Sequence, residues 1–127
     1  MNARSLVCVV DDDESVRESL PDLVRQFGFA ARAFPSAEAF LASAVVSETS
    51  CLLLDIAMPG MSGPDLQGEL TRRGLDIPIV FITAQADETI RPRLAGSGAA
   101  ACLFKPFSDA ALIAALNTAL WVRAAEH

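Results

Sequence analysis

The feature that most constrains this chain is an alternation. Five short apolar runs recur along it, each closed by polar residues or proline: "SLVCVV" (5–10), "AARAF" (30–34), "CLLLD" (51–55), "IPIVFIT" (77–83) and "AAACLF" (99–104). Several lack the in-and-out pattern of a half-exposed strand, which implies strands covered on both faces. Helical spacing fills the gaps. Val16, Leu20, Leu23, Val24 and Phe27 share one face of the first helical stretch. Ala37, Phe40, Leu41 and Ala44 mark the second, Leu66 and Leu70 the third, and Leu112, Ile113, Leu116 and Leu120 the last. Ser108 and Asp109 supply a cap for that last helix, and Pro64 after Gly63 suits a first helical turn. Repeated β–α units imply an α/β fold: a five-stranded parallel sheet with helices on both faces. No linker or repeat divides the 127 residues, so residues 1–127 are expected to form one domain.

Two stretches disturb the pattern. Pro21 falls inside the first helical run, where it is expected to kink the helix or end a turn early. The segment "DETIRPRLAGSGA" (87–99) contains Pro92, Gly96 and Gly98, so a helix there is expected to be short or poorly held.

Composition removes several function classes. A net charge of −6, with no basic run beyond Arg72-Arg73, argues against direct contact with nucleic acid. The apolar runs are too short for a membrane span, and the polar start does not read as a signal peptide, so a cytoplasmic location is expected. Cys8, Cys51 and Cys102 are far apart and lie in strand-like runs. They read as small buried hydrophobes in a reducing compartment. His127 is the only histidine, which leaves no Ser-His-Asp triad and no His-ligated zinc. "GSGAAA" (96–101) matches a dinucleotide-binding pattern, but it precedes a strand where that motif must follow one.

The chemistry gathers at the ends of the strands. In a parallel α/β sheet, ligand sites form at the carboxyl edge. There the first run ends in Asp11, Asp12 and Asp13, the third in Asp55, the fourth in Thr83 and the fifth in Lys105. Converging carboxylates repel one another unless a cation intervenes, and oxygen ligands suit Mg²⁺ or a similar hard ion. Asp55 can then act as a nucleophile towards phosphorus. The Thr83 hydroxyl and the Lys105 ammonium would neutralise oxygens of the transferred group. Lys105 is the only lysine among ten basic residues, set between Phe104 and Pro106. A flexible single-charge donor suits this task better than an arginine fork. Asp13 reads as a helix cap.

"VCVVDDDESVRESL", "CLLLDIAMPGMSG", "IPIVFITAQAD" and "CLFKPF" resemble, in order and spacing, the signature segments of the receiver domain of bacterial two-component response regulators. The likeness runs from about Leu6 to Leu120. With "FPSAEAFL" after the second strand, it is nearest to receivers that head FixJ-like transcription regulators. The resemblance implies a flavodoxin-like (βα)5 fold and a metal site for Mg²⁺ (or Mn²⁺) made by Asp11, Asp12, Asp55 and the backbone carbonyl of Ala57. It implies Asp55 as phospho-acceptor, Thr83 as the hydroxyl that meets the phosphoryl group, Lys105 as the paired lysine, and a cis Lys105–Pro106 bond. As partners it implies a sensor histidine kinase, a downstream protein or fused output domain, and a homodimer that depends on phosphorylation. The expected readout is a change in the surface built from the fourth helical segment, the fifth strand and the last helix. It also implies a signalling domain that catalyses only its own phosphorylation and dephosphorylation.

One position departs from the family pattern. Three residues before the lysine, where the family usually has an aromatic switch residue, stands Cys102. The expectation is that signalling uses ordering or displacement of residues 87–99 in place of a ring flip. Two alternatives stay open: a degenerate receiver that docks partners without phosphorylation, and a small Mg²⁺-dependent phosphatase of the haloacid-dehalogenase kind. The latter lacks its usual second acid, because Ala57 holds that position. A stand-alone regulator and the amino-terminal part of a longer transcription factor both fit the sequence.

Overall fold

A computed structural model describes residues 5–84 and 98–125. The segment 87–99, expected to be a weak helix, lies largely outside these residues. In chain order the elements are β1 (Leu6–Val10), α1 (Glu14–Gln26), β2 (Ala30–Phe34), α2 (Ala37–Leu41), a short 3-10 turn (Val46–Glu48), β3 (Thr49–Asp55), α3 (Gly63–Arg72), β4 (Ile79–Ala84), β5 (Ala101–Lys105) and α4 (Asp109–Ala125). The strands form one sheet in the order β2-β1-β3-β4-β5, every neighbouring pair parallel. This is the flavodoxin-like order that the resemblance implied.

The missing alternation in the strands has a direct cause. Along β1 and β3, Cys8, Val10, Leu52 and Leu54 face one apolar layer, where they meet Phe40 of α2 and Leu66 and Leu70 of α3. Their neighbours Val7, Val9, Cys51 and Leu53 face the other, against Leu20 and Val24 of α1 and Leu112 and Leu116 of α4. All eight strand residues are fully buried. Helices on both faces leave β1 no position for a polar side chain until Asp11 follows it, and β3 none between Cys51 and Asp55.

The local signals largely act as expected. Asp13 caps α1 by accepting from Ser15 N at 2.9 Å. Ser108 accepts from Ala111 N at 3.0 Å at the start of α4. Ser62 and Asp65 form a reciprocal capping box on α3, with Pro64 in its first turn. Two expectations need correction. Helix α1 runs through Pro21 to Gln26. The Pro21 ring is buried beside Leu20 and Val24, and that burial offsets the hydrogen bond its missing N–H cannot make. Helix α2 ends at Leu41, and Ala44 lies exposed beyond it, outside the face made by buried Ala37 and Phe40 with part-buried Ala39 and Leu41.

The chain leaves β3 through a tight passage. Gly63 N donates to Ile56 O at 3.1 Å. A Cβ at Gly63 would lie 2.7 Å from Asp55 O and 3.1 Å from the Phe81 ring. Gly63→Ala should therefore cost about 1–3 kcal/mol through overpacking against backbone that cannot yield. Urea unfolding should register this as a lower midpoint at unchanged slope; a wild-type midpoint would show that the passage is not tight.

Candidate functional site

The strand order explains why distant residues meet. β1 connects outward to β2, and the chain then crosses back to β3, so the connections leave in opposite directions between β1 and β3. A crevice opens at their carboxyl ends. Asp11 follows β1 directly and Asp55 closes β3. Carboxylate oxygens of Asp11, Asp12 and Asp55 all lie within 4.8 Å of one another. Asp11 is fully buried, Asp55 is 8% exposed, and Asp12 faces solvent.

Several contacts hold Asp11 in place. Its backbone N–H donates to Phe34 O at 3.2 Å, which carries the β1–β2 pairing one residue further. Its Oδ1 accepts from Asp13 N at 2.9 Å. From α1, Arg17 Nη1 donates to the Asp11 carbonyl at 3.1 Å. From the far end of the sheet, Lys105 Nζ donates to Asp11 Oδ2 at 3.3 Å. The Lys105 side chain remains 34% exposed. The Lys105–Pro106 peptide is cis.

Asp55 has weaker support. Ala57 N approaches its Oδ1 at 3.4 Å, a long contact for an amide donor. Burial first, and the neighbouring Asp11 carboxylate second, push its carboxyl up to about 7, against a smaller opposing pull from Lys105. Three carboxylates thus share one ammonium, and the most buried pair is held against its own repulsion. A hard divalent cation fits this donor set, since all the offered atoms are oxygens and the charge deficit is of the right sign. Asp11, Asp12 and Asp55 are the side chains that could hold it.

Thr83 is the penultimate residue of β4, 6% exposed, one step beyond the Ile82 that pairs with Asp55. Ala57 is exposed at the start of the loop after β3. Cys102 stands apart from the carboxylates. It pairs with Phe81, two residues before the level of Thr83, and lies half-buried against the core layer of α2 and α3. Burial raises the other two thiols, Cys51 to about 12, in keeping with inert core residues.

Sequence reasoning missed three participants. Arg17 lies six residues after Asp11, and nothing in its spacing shows that it reaches back to a main-chain carbonyl. Glu38 accepts from Met61 N at 3.2 Å across 23 residues of chain. The close approach at Gly63 was also unread, although a glycine after a strand end is a signal for one.

The sequence and the fold are similar to those of known proteins. The family model for the response regulator receiver domain matches residues 7–117. Nodulation protein W of Bradyrhizobium diazoefficiens is 43% identical over 118 residues, covering 93% of this chain and 52% of that protein. The transcriptional regulatory protein FixJ of Azorhizobium caulinodans is 42% identical over 114 residues, covering 90% and 54%. The chain therefore spans about half the length of these curated relatives. Among solved structures, that of the response regulator StyR superposes with a TM-score of 0.86 at 45% identity, covering 98% of this chain and 63% of the other. The crystal structure of FixJ-N superposes with a TM-score of 0.83 at 35% identity, covering 94% and 95%. The buried carboxylates at the β1/β3 crevice belong to a chain of this descent: it is a member of the response regulator receiver domain family of two-component systems.

Proposed function

We propose that residues 1–127 act as one phospho-accepting receiver, with Asp55 as the acceptor. The observation that carries this reading is the buried Asp55 carboxylate, crowded by Asp11 and Asp12, with the Lys105 ammonium paired to Asp11 beside it. Asp11, Asp12 and Asp55, with the Ala57 carbonyl, would hold Mg²⁺ or Mn²⁺. When bound, that ion supplies charge neutralisation for phosphoryl oxygens. The remaining work falls to the chain. An Asp55 carboxylate oxygen forms a bond to phosphorus as the donor's bond to phosphorus breaks. That is a P–N bond in a kinase phosphohistidine, whose imidazole leaves, or a P–O bond in acetyl phosphate, whose acetate leaves. No proton is needed on Asp55, which must be ionised to attack. Lys105 offers an ammonium to one phosphoryl oxygen while its contact with Asp11 keeps it aimed across the crevice. Thr83, buried at the end of β4, offers a hydroxyl to another.

The donor would be a sensor histidine kinase, and the output a downstream partner or fused domain reached through the β5 and α4 side. The relatives' names, a transcriptional regulator among them, support an output of that kind. The docking-module and phosphatase readings find no support in the comparisons. Ala57 also leaves no acid–base residue two positions after Asp55 for turnover of external phosphoesters.

Intact mass after incubation with acetyl phosphate and Mg²⁺ tests the acceptor. Wild type should gain one phosphoryl group, Asp55→Asn none, and prior chelation should abolish the gain. A folded wild type that gains nothing would overturn the reading.

The raised Asp55 carboxyl sets a sign for stability. Its folded value of about 7 lies above that of the unfolded chain, so the metal-free fold takes up the extra proton. The stability this gives is fully present below pH ~4 and is lost as pH rises to about 7. Asp55→Asn removes the ionisation and should stabilise the metal-free protein by about 2 kcal/mol at pH 8, with little change at pH 4. Mg²⁺ should raise the melting temperature of wild type more at pH 8 than at pH 5.5, because protons compete for the same oxygens. Equal effects at both pH values would contradict the assignment.

A further inference from the structure

The loop from Ile56 to Ser62 follows the acceptor strand and carries Ala57. Its ends are anchored: Ile56 N donates to Ile82 O at 3.1 Å, and Ser62 N donates to Asp65 Oδ2 at 3.1 Å within the α3 capping box. Met58 pins the near half by burying its side chain among the α2 and α3 core residues. In the far half Pro59 and Gly60 are exposed, and Met61 is only part-buried against the same core layer. There the backbone turns through Gly60 in the left-handed region, at φ +76°. This turn presents Met61 N to Glu38 Oε2 at 3.2 Å.

A second observation involves the same carboxylate. A Cβ on Gly60 would fall 2.9 Å from Glu38 Oε2. The missing side chain at Gly60 thus serves two purposes: it permits the positive φ, and it lets the carboxylate lie flat against the loop backbone. Glu38 is also on a fixed base. Its helix, although only five residues long, is capped by Ser36, which accepts from Ala39 N at 3.0 Å. The fully buried Ala37 and Phe40 flank Glu38 in the chain, and Phe40 stands edge-on to Phe34 with ring centroids 5.5 Å apart. A short acidic arm on a rigid base therefore reaches the loop beside the acceptor.

We infer that Glu38 is a positioning residue for the receiver site, fastening the loop that carries Ala57 so that its backbone is held ready at the Asp55 crevice. The inference rests on the receiver reading above and adds a residue to it. Glu38 acts through the Met61 amide and touches neither the phosphoryl group nor the carboxylate cluster. Transfer itself is unchanged: an Asp55 oxygen bonds to phosphorus, the acetyl phosphate P–O bond breaks, and acetate leaves. The contribution of Glu38 is to spare the site the ordering of its own loop.

The test compares wild type, Glu38→Ala and Glu38→Gln, the last of which keeps an acceptor oxygen without the charge. Amide exchange at Met61, followed by NMR in the metal-free protein, should be about fivefold faster in Glu38→Ala, the scale of one ordinary hydrogen bond. The Mg²⁺ concentration that half-saturates phosphorylation by acetyl phosphate should rise by a similar factor, about fivefold. The maximal rate should stay near wild type, and the melting temperature should fall by no more than about 5 °C, the scale of one ordinary hydrogen bond. Glu38→Gln should restore both readouts to within about twofold. Unchanged Met61 exchange in Glu38→Ala, an unchanged half-saturation, or a Glu38→Gln protein as impaired as Glu38→Ala would each overturn the inference. A wild type that accepts no phosphoryl group would instead overturn the receiver reading, while the exchange measurement would still decide whether Glu38 holds the loop.

Discussion

The repulsion between the buried carboxylates of Asp11 and Asp55 is the constraint around which this molecule is arranged. Two buried carboxylates this close repel each other, and Asp55 holds a proton more tightly as a result of its burial and of Asp11. The fold does not let the two move apart. Asp11 is held through its own backbone by β2 and α1, and Asp55 is the last residue of a strand buried on both faces. What remains is a charge problem, met in part by an ammonium from the opposite side of the sheet. Crowded carboxylates of this kind favour a nearby positive charge, which suits the receiver role proposed above.

The architecture supplies this condition through its layers. Residues on alternate sides of β1 and β3 are consumed by two separate apolar clusters, so the first polar atoms each strand can afford are at its end. Crossing connections then open the sheet between β1 and β3, where those ends meet. The loop after β3 is treated differently from the strands. It is tied by a capping box, a buried methionine, a glycine passage and the Glu38 carboxylate, each a modest interaction. Several weak ties around one short loop fix its path while leaving its backbone near the crevice accessible.

Much of this was legible in the chain. Unalternating apolar runs are a direct consequence of two-sided burial, so the parallel sheet could be read without any contact being known. Asp11, Asp12, Asp55, Thr83 and Lys105 could be nominated together because each stands at the end of such a run. The readings that failed depended on partners remote in sequence. Helix α1 continues past Pro21, whose ring is buried along with Leu20 and Val24, a burial that local propensity does not contain. Helix α2 stops at Leu41, with Ala37 and Phe40 buried and Ala44 exposed beyond it. Cys102 was singled out by what it replaces, and the structure places it against the α2 and α3 layer, away from the acid cluster.

The division between sequence and tertiary structure follows the range of the forces involved. Strand and helix identity, the caps at Asp13, Ser62 and Ser108, and the residue types at each strand end are local properties. They follow from periodicity, backbone hydrogen bonding and the placement of polar groups, and the amino-acid order alone determines them. Which carboxylate is buried, how far its proton affinity rises, and which distant donor faces it depend on distances between elements. Lys105 meets Asp11 across 94 positions, and Glu38 meets Met61 across 23. Electrostatic energy and desolvation depend on separation in space, which only the packed sheet defines.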